Sequence, residues 1–201
     1  CTMGAISDAV FMGDWNRFRA WMLAIAVAIL GSQALHMTGT VDLATSIYLT
    51  SDLGWAGAII GGLLFGFGMT MTGGCGNKTL VRLGAGNLKS VVVALFLGIF
   101  AYMTLRGLMG LARVELENSV NVDLSAVGMA DQGMPAFLGL FGVPEDSARL
   151  IVTAIVAGAL LWFVLKSRDF RASKADVAGG VIIGALVPVA WYVTGVIGFD
   201  D

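Results

Sequence analysis

The chain has 201 residues, 57% of them hydrophobic and 13% charged, with a formal net charge of −2. Soluble domains carry about a quarter charged residues. One small core cannot bury this much apolar surface, so the composition excludes an ordinary water-soluble domain and makes lipid the solvent for the remainder. The acidic balance also excludes a nucleic-acid binder, which needs a basic footprint.

In chain order, the first segment is CTMGAISDAVFMGDWN, opening on Cys1. It reads as part of a longer chain rather than as the acylated cysteine of a lipoprotein, because no polar linker follows. The apolar run after it is too long for a signal peptide and lacks a small-residue cleavage site. Five runs approach the roughly 20 helical residues that cross a bilayer: residues 19–37, 55–72, 90–111, 149–165 and 177–198. Pro188 in the last leaves a backbone carbonyl unpaired and predicts a kink. Residues 112–148 form an acidic connection with Glu115, Glu117, Asp123, Asp131, Glu145 and Asp146. Within it, MPAFLGLFG is too short to span and reads as an interfacial or re-entrant piece. Residues 166–176 carry Lys166, Arg168, Arg171 and Lys174, so that loop is expected on the cytoplasmic side and the acidic connection on the outside. Arg106 and Arg113 run against this orientation. The predicted fold is an all-α integral membrane protein, a single transport domain with about five spans and short re-entrant half-helices.

An internal repeat is also expected. VFMGDWN (residues 10–16) matches VRLGAGN (residues 81–87) at Val, Gly and Asn, with Met in place of Leu. Each follows a cysteine and precedes a long span, which gives repeat units of about 1–37 and 75–111, the pattern of a duplicated transporter. Asn16 and Asn87 read as caps of the helices behind them.

The chemistry concentrates in TGGCGNKTLVRLGAGNLKS, residues 72–90. Gly73 and Gly74 are expected to break one helix, and Gly76, Asn77 and the residues after them to start a short second one. Its N–H groups would then point into a cavity and favour an anion. Lys78 and Arg82 are four apart and share a face, with Cys75 and Thr79 on roughly the same side. A thiol beside a helix N-terminus and cations is suited to a soft, sulfur-containing anion. The alternative is that Cys75 is a small buried hydrophobe and that Lys78, Arg82 and Lys89 only flank the third span.

Two other functional classes compete. Met69 and Met71 beside Cys75 offer soft ligands for a Cu(I)-type permease, but residues two apart face different ways on a helix. A non-transporting accessory subunit would need none of these groups. His36, the single histidine, reads as an interfacial residue rather than a ligand or proton relay. The cysteines are not in a Cys-x-x-Cys arrangement, there is no phosphate-binding loop, and no Ser/His/Asp set is present. Neither enzyme activity nor a metal or other cofactor is expected.

The stretches CTMGAISDAVFMGDWNRFRAW and GFGMTMTGGCGNKTLVRLGAGNLKS resemble the cysteine motifs of the YeeE/YedE family of sulfur-transport membrane proteins. The family's Gly-Gly-Cys, Leu-Val-Arg and Gly-x-Gly-Asn-Leu elements are met between residues 73 and 88. The resemblance implies uptake of thiosulfate or a related anion across a bacterial inner membrane, through short helices dipping in from both sides. It makes Cys1 and Cys75 the thiols that relay the substrate, and it implies a cytoplasmic sulfur carrier of the TusA type as a partner. Full-length members carry a third cysteine in a second half. Here that half is expected either as further sequence or as a separate subunit.

Overall fold

The computed structural model describes residues 2–43, 52–127, 132–139 and 142–198. Cys1 and Asp131 lie outside the described residues. The chain forms two compact units, residues 52–124 and the described residues on either side of that stretch.

The first unit contains α3 (Trp55–Thr72), α4 (Gly76–Gly84), α5 (Leu88–Arg106) and α6 (Leu108–Val120). A two-residue antiparallel ladder closes its ends, β1 (Asp52–Leu53) against β2 (Val122–Asp123), with Asp52 opposite Asp123. Trp55 Nε1 donates to the Val120 carbonyl at 3.0 Å, which holds the start of α3 against the end of α6. The third span was expected to run to residue 111, but the helix stops at Arg106. Gly107 is extended there (φ −100°, ψ −164°), and a Cβ on it would lie 2.8 Å from the Met103 carbonyl. Only glycine fits that reversal. Much of the expected acidic connection is therefore helical. Glu115 and Glu117 lie on α6, where Glu117 pairs with Arg113 one turn away at 3.1 Å.

The second unit contains α1 (Thr2–Ser7, continued by a π turn, Asp8–Met12), α2 (Asn16–Met37), α7 (Met134–Gly139), α8 (Glu145–Leu165), α9 (Arg168–Ala172) and α10 (Lys174–Tyr192, continued by a π turn, Val193–Ile197). The MPAFLG segment is the short helix α7, packed on α8. The central helix α2 packs against both α8 and α10. Its seam with α10 is made of small residues, the arrangement that lets membrane helices approach closely. A Cβ on Gly180 would sit 2.8 Å from the Ala20 carbonyl, and one on Gly184 would sit 2.6 Å from that of Ala24. Higher up, the Pro188 ring lies against Gly31. The α2–α8 side is filled by larger groups: Leu23, Val164 and Phe170 are buried together. Phe18 meets Phe163 edge-on at 6.3 Å, with the Arg19 guanidinium 5.6 Å from the Phe163 ring centre.

Among the described residues five helices are long and apolar enough to cross a membrane: Asn16–Met37, Trp55–Gly84, Leu88–Arg106, Asp146–Leu165 and Lys174–Ile197. The second is interrupted at residues 73–75. Many of their large side chains are exposed. On α3, Leu63 is 70% exposed and Phe67 67%, a surface that only lipid or another apolar partner can cover.

The glycine seam makes a sharp prediction. Gly184→Ala should cost about 1–3 kcal/mol through overpacking. Gly179→Ala, whose Cβ would meet nothing within 4 Å, should be neutral or stabilising by up to about 1 kcal/mol. Thermal unfolding of the two detergent-solubilised variants measures the difference.

Candidate functional site

The break between α3 and α4 is built from local hydrogen-bond geometry. Gly73 takes the left-handed region at φ +66° and ends α3. Its N–H donates to the Thr70 carbonyl (3.4 Å), and the Gly74 N–H donates to the Met69 carbonyl (3.1 Å). This paired closure satisfies the last carbonyls of a helix. Lys78 then reaches back, its Nζ donating to the Gly73 carbonyl at 3.1 Å. Its stem lies over Gly74, where a Cβ would be 2.7 Å from Lys78 Cδ. An ammonium at the C-terminal end of α3 is also favoured by the helix dipole. The absent side chain at Gly74 is what allows it to come so close.

Cys75 is the extended N-cap residue of α4 (φ −83°, ψ 170°) and is half-buried, with the backbone N–H groups of Lys78 and Asn77 facing its sulfur. The Thr79 hydroxyl donates to the Cys75 carbonyl at 3.4 Å. Cys75, Lys78 and Thr79 are half-buried, whereas Asn77 and Arg82 are exposed. Arg82 therefore shares the face of Lys78 by spacing but lies toward its open end. Among the described residues no carboxylate lies within ion-pair distance of Lys78 or Arg82.

α4 ends as α3 does. Gly86 has φ +83°. The Gly86 N–H donates to Leu83 O and the Asn87 N–H to Arg82 O. Asn87 then caps α5, its Oδ1 accepting from the Lys89 N–H at 3.1 Å. The result is a hairpin in which α4 packs back along α5. A Cβ on Gly76 would lie 3.5 Å from Leu97 Cδ1, and Leu97 is the middle residue of the 19-residue α5. The start of α4 is therefore level with the midpoint of α5, with about 14 Å of helix on either side.

The segment behind Cys1 has a related order with different details. α1 and its π turn end at Gly13 (φ +68°), three residues ahead of Asn16, whereas the left-handed Gly86 immediately precedes Asn87. Asn16 is the first residue of α2 rather than its cap, and Asp14 does the capping, its Oδ1 accepting from the Asn16 N–H at 2.9 Å. Arg17 is neutralised by Asp8 at 2.9 Å and passes over Gly4, where a Cβ would meet its Nη1 at 2.9 Å. Arg19, two residues on, has no carboxylate partner and faces the Phe163 ring instead. The Asp8–Arg17 pair was missed in the sequence, although nine residues separate its members, because a π turn and a glycine reversal intervene. The facing of Gly76 and Leu97 likewise depends on the hairpin and carries no local signature. Met69 is half-buried and Met71 is 74% exposed, so the two do not converge with Cys75. No cluster of three or more His, Cys, Asp or Glu suited to a metal occurs among the described residues.

Helices of this length and apolarity define a multi-pass membrane protein. Residues 1–200 match the family model described as Sulphur transport, and the chain belongs to that family. It is similar to the thiosulfate transporter TsuA of Escherichia coli, 26% identical over 178 residues, which cover 89% of this chain and 44% of that protein. It is also similar to the thiosulfate transporter TsuA of Spirochaeta thermophila, 25% identical over 197 residues, covering 96% of this chain and 57% of that one. The chain spans about half the length of the curated relatives it matches. No solved structure is significantly similar.

The break itself can be tested through its glycines. Gly73→Ala places a Cβ in a left-handed residue and should cost about 1–2 kcal/mol. Gly66→Ala, inside α3 with nothing within 4 Å of the new Cβ, should be neutral or stabilising by up to about 1 kcal/mol. Opposite shifts in thermal unfolding are expected from two identical substitutions on neighbouring turns.

Proposed function

We propose that this chain forms part of a bacterial inner-membrane permease for thiosulfate or a related small sulfur-containing anion, with Cys75 at the point of contact. The observation that carries the reading is the depth of the break. A helix N-terminus, a thiol and the Lys78 ammonium lie level with the middle of α5, with Arg82 about 9 Å further along α4, and neither cation has a carboxylate partner among the described residues. The first N–H groups of a helix have no intrahelical acceptor, and lipid supplies none. An anion satisfies them and is favoured by the dipole. The Cys75 S–H can donate to a sulfur or oxygen of the passing substrate, and Lys78 and Arg82 draw it toward the break. Gly73, Gly74 and Gly76 keep side chains out of its way, and Asn77 and Thr79 add polar groups beside it.

Thiosulfate is preferred over sulfite, sulfide or a selenium species because two relatives bear that name. The same residues would otherwise suit any of them. Cys1, which opens the first repeat, is the second thiol of the relay. α4 acts as a re-entrant half-helix, and α1 is its counterpart. The basic residues 166–176 put that loop in the cytoplasm, where a sulfur carrier of the TusA type would collect the product. Because the relatives are about twice as long, a second half or subunit completes the pathway.

Cys75→Ala should abolish thiosulfate uptake, and growth on thiosulfate as sole sulfur source, while the protein still accumulates in the membrane. Uptake at the unsubstituted rate would overturn the mechanism and favour an accessory, non-transporting role.

A further inference from the structure

The second unit holds a cavity of about 310 Å³ between α2 and α8, well away in sequence from the Cys75 break. Gln33 and His36, one turn apart on α2, face Asp146, Arg149 and Thr153, stacked over two turns of α8. His36 is one residue from the end of α2 and Asp146 one residue from the start of α8, so these polar side chains meet across one end of the two helices. A volume at the lower end of the ligand-pocket range fits a small solute that keeps some of its water.

The lining is rich in donors. Arg149 has five N–H groups, Gln33 an amide and Thr153 a hydroxyl. His36 adds one more. Its Nδ1 accepts from the Leu43 N–H at 3.2 Å, which places the proton of the neutral ring on Nε2. The Asp42 carboxylate lies 3.6 Å from the same Nδ1. Against these stands one lining carboxylate, Asp146, exposed in the first turn of α8, where the positive end of the helix also lies. Arg149 has enough N–H groups to serve Asp146 and a ligand together.

We infer that this cavity is a loading subsite for a tetrahedral oxyanion of sulfur, reached from the side of the membrane opposite the 166–176 loop. Here Arg149, Gln33 and Thr153 hold the anion while it keeps part of its water. The inference rests on the permease reading above and extends it to a second, non-thiol site.

Initial rates of uptake against thiosulfate concentration test it. Arg149→Gln should raise KM about tenfold or more, the worth of a charge-assisted hydrogen bond, with little loss of maximal rate, and Arg149→Lys should restore part of it. The neutral double change Gln33→Leu with Thr153→Val should raise KM in the same direction, and it carries the test if Arg149→Gln does not accumulate. An unchanged KM in the accumulating variant, or a lost maximal rate at unchanged KM, overturns the inference. Equilibrium binding of labelled thiosulfate to the purified Cys75→Ala protein separates the two readings. Binding retained there and lost on adding Arg149→Gln supports the subsite whatever Cys75 does in transport, and binding indifferent to Arg149 refutes it.

Discussion

Inside a bilayer every backbone N–H and C=O must find a partner within the protein, since lipid offers none. The α3–α4 break is where this chain interrupts its helical ladder at depth, and its residues are arranged around that cost. On the carbonyl side Gly73 and Gly74 return hydrogen bonds to Thr70 and Met69, and Lys78 covers the Gly73 carbonyl. The N–H side is capped by Cys75, whose side chain offers only a weak sulfur acceptor. At the N–H end the backbone groups of Asn77 and Lys78 face only that thiol sulfur. That asymmetry is the basis of the functional reading.

Glycine does two different jobs around this arrangement. At Gly73 and Gly86 it supplies a left-handed backbone, ending α3 and then folding α4 back along α5. At Gly180 and Gly184 it supplies absence of bulk, so that α10 can meet the carbonyls of Ala20 and Ala24. The first use sets the depth of Cys75, and the second holds the second unit together where aromatic packing does not reach. Arg17 is matched by Asp8 and Arg113 by Glu117, whereas Lys78 and Arg82, like several other cations among the described residues, have no carboxylate partner.

Much of this was legible in the residues. The second span ends at Thr72, as its apolar run does, because Gly73 and Gly74 are unambiguous breakers. The first, fourth and fifth helices each begin a few residues before their apolar runs, in polar or charged residues that still form helix. Two features escaped. Gly107 follows Arg106 inside a run otherwise apolar enough to read as one span, and the reversal against Met103 shows that it ends α5. The polar cavity was hidden because Gln33 and His36 lie more than a hundred residues from Arg149 and Thr153. The three- and four-residue spacings within each set were the available clue. The two segments expected to be repeats cap differently, through Asp14 in one and Asn87 in the other. Matching letters therefore did not carry matching geometry.

The central claim is that substrate meets Cys75 at the start of α4. The most direct measurement is the rate at which a small maleimide labels Cys75, read by mass spectrometry of its peptide, with and without thiosulfate. The account predicts that thiosulfate slows labelling in a saturable way while chloride at equal ionic strength does not. Labelling at the same rate in saturating thiosulfate, by a protein that still takes thiosulfate up, would contradict it.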